Sequence, residues 1–154
     1  MKAFRVSLFG HRRIDDKNIE EMLTRIIKEL LASRQYIIFF LGRNGEFDEL
    51  AARVIKRMQR EYEDNNFEMV LVLPYKVKNI EYYANYYESV VIPDCVYGVH
   101  PKSAINIRNR WMIDNTDLII AYVEHNNGGA YDALKYAKIN KKYIIELQNN
   151  KTIG

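Results

Sequence analysis

Tyr36-Ile37-Ile38-Phe39-Phe40-Leu41-Gly42-Arg43-Asn44-Gly45 is the stretch on which the fold turns. The run from Tyr36 to Leu41 is apolar without alternation, so an extended segment here has to be covered on both faces, as in a parallel sheet. Gly42 and Gly45 bound it, and Leu50, Ala51, Val54, Ile55 and Met58 then follow at the spacing of one helix face. A buried strand handing over directly to an amphipathic helix is half of a β-α-β unit.

The same succession recurs on either side. Phe4 to Phe9 reads as a strand, Asp15 and Asp16 as caps, and Ile19, Met22, Leu23, Ile26, Ile27, Leu30 and Leu31 as a helix stripe. Phe67 to Leu73 is a third strand ending at Pro74. Asn79 to Tyr87 reads as a short helix before the run Val90 to Ile92. Pro101 opens a helix reaching Asn115, Asp117 to Val123 is a strand, Ala130 to Ile139 a helix and Tyr143 to Leu147 a last strand, with a frayed tail from Gln148 to Gly154. Strands alternating with helices force parallel pairing through right-handed crossovers. The expected class is therefore α/β, a Rossmann-like three-layer sandwich around a mostly parallel sheet of about five to six strands.

Composition agrees with one domain over residues 1–154. The chain weighs 18.2 kDa, with 48% hydrophobic and 28% charged residues, enough to bury a core and outside the disordered and collagenous classes. The apolar runs are too short to cross a bilayer, so no membrane partner is expected. Cys95 is the only cysteine, which leaves no intramolecular disulfide and makes the cytoplasm the expected compartment. The net charge of +3 balances 23 basic against 20 acidic residues, too mixed to signal binding along nucleic acid, and no specific nucleic-acid partner is expected.

In such sheets ligands bind beyond the carboxyl ends of the strands, so the loops there are the functional shortlist. They are Gly10-His11-Arg12-Arg13, Gly42-Arg43-Asn44-Gly45, Tyr75-Lys76 and the segment Glu124 to Gly129. Three of the four carry cations, and helix N-termini aim free backbone donors at the same rim, so an anion is the expected guest. Taken singly, each residue has a plainer reading. Arg12 and Arg13 are read equally well as solvated loop charges, Gly42 and Gly45 as turn residues, and Asp48 and Asp132 as carboxylates complementing a helix dipole. Arg108, Arg110 and Trp111 divide between a Trp anchor with exposed arginines and an arginine reaching the rim. No metal site is expected, because His11, His100 and His125 lack ligand spacing, and neither a P-loop nor the dinucleotide fingerprint occurs. Tyr82, Tyr83, Tyr86 and Tyr87 form an unusual cluster, read as core cover, ligand wall or partner surface.

Five motifs in register carry a resemblance: Ser7-Leu8-Phe9-Gly10-His11-Arg12, Leu41-Gly42-Arg43-Asn44-Gly45-Glu46-Phe47-Asp48, Arg108-Asn109-Arg110-Trp111-Met112-Ile113-Asp114, Asp117-Leu118-Ile119-Ile120-Ala121 and Gly128-Gly129-Ala130. Together they resemble the SLOG superfamily, which joins the SMF/DprA proteins with the lonely-guy (LOG) enzymes, and within it the small bacterial YpsA-like proteins. The resemblance runs from Phe4 to Leu147. It implies a pocket for a nucleotide or nucleotide-derived ligand at Gly10, His11, Arg12, Gly42, Gly45, Asp48, Gly128 and Gly129, supported by Arg110 and Asp114. LOG hydrolases carry Pro-Gly-Gly-x-Gly-Thr-x-x-Glu. This chain has Asn127 for the proline, Tyr131 for the third glycine, Asp132 for the threonine and Lys135 for the glutamate. A cation there cannot stabilise an oxocarbenium-like transition state.

The leading expectation is a sensor or regulatory module that binds a small phosphorylated nucleotide derivative, with no separate cofactor. Arg12 and Arg43 would hold phosphate and Asp48 a ribose hydroxyl. The alternatives are an N-glycosidic hydrolase or transferase, with Asp48 or Asp132 as carboxylate and His11 as proton carrier, and a protein-interaction module using Tyr75 to Tyr87. Homodimerisation through apolar helix positions stays open, with no interface legible.

Overall fold

The computed structural model describes residues 2–15, 18–33, 36–43, 45–62 and 66–148. Six strands, β1 (Phe4–Gly10), β2 (Ile37–Leu41), β3 (Phe67–Val72), β4 (Ser89–Val91), β5 (Leu118–Tyr122) and β6 (Tyr143–Glu146), form one sheet in the order β4-β3-β2-β1-β5-β6. Every pairing is parallel. The connecting helices are α1 (Ile19–Ser33), α2 (Glu46–Glu61), α3 (Ile80–Tyr86), α4 (Pro101–Asp114) and α5 (Gly129–Ile139), with a 3-10 turn at Asp94–Val96. The sandwich expected from strand and helix alternation is thus present, with all six strands parallel. Two expected details, the cap at Asp16 and the fraying of residues 149–154, lie outside the described residues.

The pleat sends alternate side chains to two cores. Val6, Leu8, Phe39, Leu41, Met69 and Leu71 pack on one face against the stripe Ile19, Leu23 and Ile27 of α1 and against Val54, Ile55 and Met58 of α2. Phe9, Phe40, Val70, Val72, Ile119 and Ala121 pack on the other against Met112 and Ile113 of α4 and Ala133, Leu134 and Ala137 of α5. The doubly covered run Ile37–Leu41 contributes to both. The buried polar side chain of β1, Ser7, is bonded to the Thr116 hydroxyl and to the Met112 carbonyl, so no donor is stranded there.

The chain steps from β1 outward through β2, β3 and β4, then returns to the other side of β1 as β5. The order reverses between β1 and β5, where Gly10 lies opposite Tyr122. Loops leaving two neighbouring strands toward opposite faces open a crevice at their carboxyl ends.

Candidate functional site

The crevice between β1 and β5 is a cleft of about 660 Å³, within the range of small-ligand sites. Its floor is Leu8 to Gly10, one wall is the loop from His11 to Asp15 with Gly42 and Asp48, and the other is α4 with the loop His125 to Gly129 leading into α5. Among the described residues, four cationic side chains line it, Arg12, Arg13, Lys102 and Arg108, against two carboxylates, Asp15 and Asp48. The cleft is electropositive.

Gly10 and Gly45 stand where any side chain would collide with a neighbour. A Cβ at Gly45 would lie 2.5 Å from the Arg12 Cα, and one at Gly10 would lie 2.2 Å from the Phe47 ring. The loops after β1 and β2 are therefore in direct contact, and two hydrogen bonds tie them. Glu46 N–H donates to the Arg12 carbonyl at 2.9 Å, and Ile14 N–H donates to the Glu46 carboxylate at 2.8 Å. Across the cleft, Gly128 has φ +95°, a conformation that favours glycine, and it turns the chain into α5. The first N–H groups of α5 lack intrahelical acceptors, and Gly129 and Ala130 border the cleft. Nothing lies within 4 Å of a Cβ built on Gly128 or Gly129. That rim is open for an anion to approach backbone donors.

His11 plays a different part from the proton carrier considered above. Its Nε2 accepts from the backbone N–H of Glu124 at 2.7 Å and of His125 at 3.1 Å, which fixes a neutral ring with the proton on Nδ1. Burial holds its pKa below the ordinary histidine value, aided by the neighbouring His125 and opposed by Glu124 and Asp15. The Nε2 lone pair is committed to joining the loops after β1 and β5.

Arg108 is the cation that spacing alone left undecided. It is buried in the cleft wall, donates from Nη1 to the Val72 carbonyl at 2.7 Å and from Nε to Asn109 Oδ1 at 2.9 Å. Burial lowers its pKa to about 10, with Asp48 pulling the other way. A Cβ on Gly42 would lie 3.0 Å from Arg108 Nη1 and 3.2 Å from an Asp48 carboxylate oxygen, so Gly42 is the narrow place where these charges come together.

The structure brings Gly10, His11, Arg12, Gly42, Asp48, Gly128 and Gly129 to one cleft. It separates the rest. Arg43 lies on the far side of Gly42, in a second cavity lined by tyrosines, with its guanidinium carbon 5.7 Å from the Tyr83 ring centroid. The expected joint grip of Arg12 and Arg43 on one phosphate is not built, because Arg12 lines the cleft and Arg43 the tyrosine cavity. Gly45 packs on Arg12 rather than lining the cleft. Arg110 sits over the Tyr136 ring at 5.1 Å, and Tyr136 donates to Asp114 at 2.8 Å. Arg110, Asp132 and Lys135 share a smaller pocket between α4 and α5. Asn44 lies outside the described residues. Lys102, Asn106, Asn109 and Asp15, none of which the sequence assigned to the ligand, line the cleft as well. Among the described residues no group of three or more histidine, cysteine or acidic side chains could hold a metal ion.

No protein-family model matches the sequence, and no curated protein matches it. Solved structures do resemble it. DNA processing protein A (DprA) from Streptococcus pneumoniae superposes with a TM-score of 0.70 at 15% identity, over 98% of this chain and 52% of that one. DprA from Helicobacter pylori gives 0.64 at 15% identity, over 97% of this chain and 67% of that one. The molybdenum cofactor binding protein from Rippkaea orientalis gives 0.64 at 16%, over 97% and 78%. This chain spans about half the length of the first of these. The likeness shows the fold, a Rossmann-like α/β sandwich shared with DprA and the molybdenum cofactor binding protein. Among the described residues no helix is long and apolar enough to cross a membrane.

Proposed function

We propose that the cleft between β1 and β5 binds a nucleotide or nucleotide-derived phosphorylated ligand, and that the chain is a binding module with a sensor or regulatory role, in the YpsA-like branch. The observation that carries this is the excess of cations over carboxylates, four against two among the described residues, in a cleft that also opens on the first N–H groups of α5. Guanidinium forks and helix-end donors match phosphate oxygens. Arg12 and Lys102, both exposed at the rim, are the residues assigned to the phosphate, and Asp48 to a ribose hydroxyl. Buried Arg108 supplies positive potential and holds the Asp48 side of the cleft in shape.

The neighbours support an extension of the ligand class. The Helicobacter pylori protein is described as binding single-stranded DNA, a chain of phosphodiesters, and the Rippkaea protein as binding the molybdenum cofactor. A short single-stranded oligonucleotide therefore belongs in the ligand panel, although the overall charge gave no reason to expect nucleic acid. Catalysis is not part of the proposal. His11 Nε2 is occupied by backbone donors, and Asp132 and Lys135 lie in the other pocket. Calorimetry with nucleoside monophosphates, the corresponding nucleosides and a short oligonucleotide tests the reading. Phosphate-bearing ligands should bind and Arg12→Ala should weaken them about tenfold, one lost charge-assisted hydrogen bond. Equal binding of nucleoside and nucleotide would overturn it.

A further inference from the structure

The tyrosine cluster and Arg43 meet in a cavity of about 370 Å³ that shares Gly42 and Asp48 with the cleft. We propose that this cavity receives the nucleobase of a nucleotide whose phosphate lies in the cleft, with the sugar crossing at Gly42 and Asp48. The proposal rests on the phosphate reading of the cleft and names where the rest of the ligand goes.

Three observations converge on a flat, uncharged, hydrogen-bonding ring. The first is the wall. Tyr82, Tyr83, Tyr87 and Tyr86 touch in series, with ring centroids 5.4, 6.3 and 5.3 Å apart. The wall is braced from α2, since Lys56 Nζ donates to the Tyr86 carbonyl at 2.6 Å and lies 4.8 Å from the Tyr86 ring centroid. A braced aromatic wall offers π-faces and edges to any base at little entropic cost.

The second observation is a donor that lacks an acceptor. Arg43 Nε is buried and has no hydrogen-bond partner among the described residues, while its guanidinium lies over Tyr83. Buried donors are nearly always bonded, so an unpaired one beside a cavity marks where an acceptor belongs. A ring nitrogen or exocyclic carbonyl of a base supplies that acceptor, and the guanidinium plane stacks on the ring as readily as it donates.

The third observation decides between a base and a second phosphate. Arg43 and Arg53 face Asp48 and Glu49 in this cavity, two charges against two, whereas the cleft is cationic. A dianion gains nothing from a balanced cavity. A neutral ring with donors and acceptors on its edge can use both signs. Asp48, present on both sides of the divide, is the acceptor for hydroxyls of the intervening sugar.

Calorimetry with ribose 5-phosphate and with adenosine, guanosine and uridine monophosphates separates the parts, using wild type, Tyr82→Ala and Arg43→Gln. Tyr82 is 65% exposed, so its loss leaves the fold intact, which an unchanged Tm verifies. At least one nucleotide should bind about tenfold more tightly than ribose 5-phosphate, and each variant should bring nucleotide affinity down toward the sugar phosphate while leaving the latter unchanged. If ribose 5-phosphate binds as tightly as every nucleotide, or if the variants weaken both kinds of ligand alike, the base site is wrong and the phosphate cleft stands. If neither kind of ligand binds, both readings fall.

Discussion

The Nε2 atom of His11 accepts the backbone N–H of Glu124 at 2.7 Å, joining the loops that leave the two strands between which the sheet order reverses. The crevice at such a reversal is a gap between loops running to opposite faces, so something must fix its width. Here a neutral imidazole does so, because only an unprotonated Nε2 can accept.

Stability should therefore depend on pH through this residue. Burial keeps the folded pKa of His11 below the ordinary value near 6.5, so on acidification the unfolded chain takes up the proton first. The contribution is fully present above about pH 6.5 and is lost as pH falls through the folded value. Thermal unfolding of wild type and His11→Gln between pH 8 and pH 5 checks this. Wild type should lose stability more steeply than the variant, whose side chain does not titrate. Parallel curves would mean that His11 does not carry the bridge.

Arg108 should matter to the fold. Its buried guanidinium bonds the last carbonyl of β3, Val72, so Arg108→Met strands that carbonyl and removes a positive charge near Asp48. Leaving a buried carbonyl without its donor costs about 1–3 kcal/mol. Chemical denaturation should show a loss of that order. A loss under about 1 kcal/mol would place the side chain in solvent.

The contact between the two cationic loops predicts unequal costs at Gly45, where they touch, and at Gly129, across the cleft. Gly45→Ala drives a methyl group into the Arg12 backbone and should cost about 1–3 kcal/mol, whereas Gly129→Ala meets nothing within 4 Å and should change stability by less than about 0.5 kcal/mol. Denaturant midpoints of the two variants compare them directly. Equal midpoints would contradict the close packing of the loops.

Much of the fold was legible because burial on both faces leaves an unmistakable pattern. The unbroken run at Ile37–Leu41 and the helix stripe that follows it can be read no other way in a chain that repeats them. The site was legible only as a set of loops. Direction was not, since spacing in a four-residue turn does not say which way a side chain leaves it. Arg12 and Arg43 looked equivalent on paper, yet one lines the cleft and the other the tyrosine cavity. Arg108 was obscured for another reason. Its burial is decided by the Val72 carbonyl, 36 residues away in sequence, and α4 shows no clean polar face on which to place it. His11 had the right residue type for proton transfer, and only the partners of Nε2 reveal that the lone pair is spent.

The position of Lys135 predicts that the LOG-type route to glycosidic cleavage is not used. The position that carries glutamate in LOG-type hydrolases is Lys135, and it faces the pocket between α4 and α5 rather than the cleft. Incubation of nucleoside monophosphates at high protein concentration should release no free base by chromatography, and Lys135→Glu should not confer release. Turnover by wild type would show that Asp15 or Asp48, the carboxylates that do line the cleft, act on the sugar.

The phosphate site proposed for the cleft between β1 and β5 draws on cations of the loop after β1 and of α4, and on the open end of α5. Backbone amide NMR during titration with a nucleoside monophosphate tests it most directly. Saturable shifts at Gly129 and Ala130, together with Arg12 and Lys102, weakened about tenfold by Arg12→Ala, are the expected result. Shifts that the unphosphorylated nucleoside reproduces at the same concentrations, or no saturable shift at those amides, would contradict it.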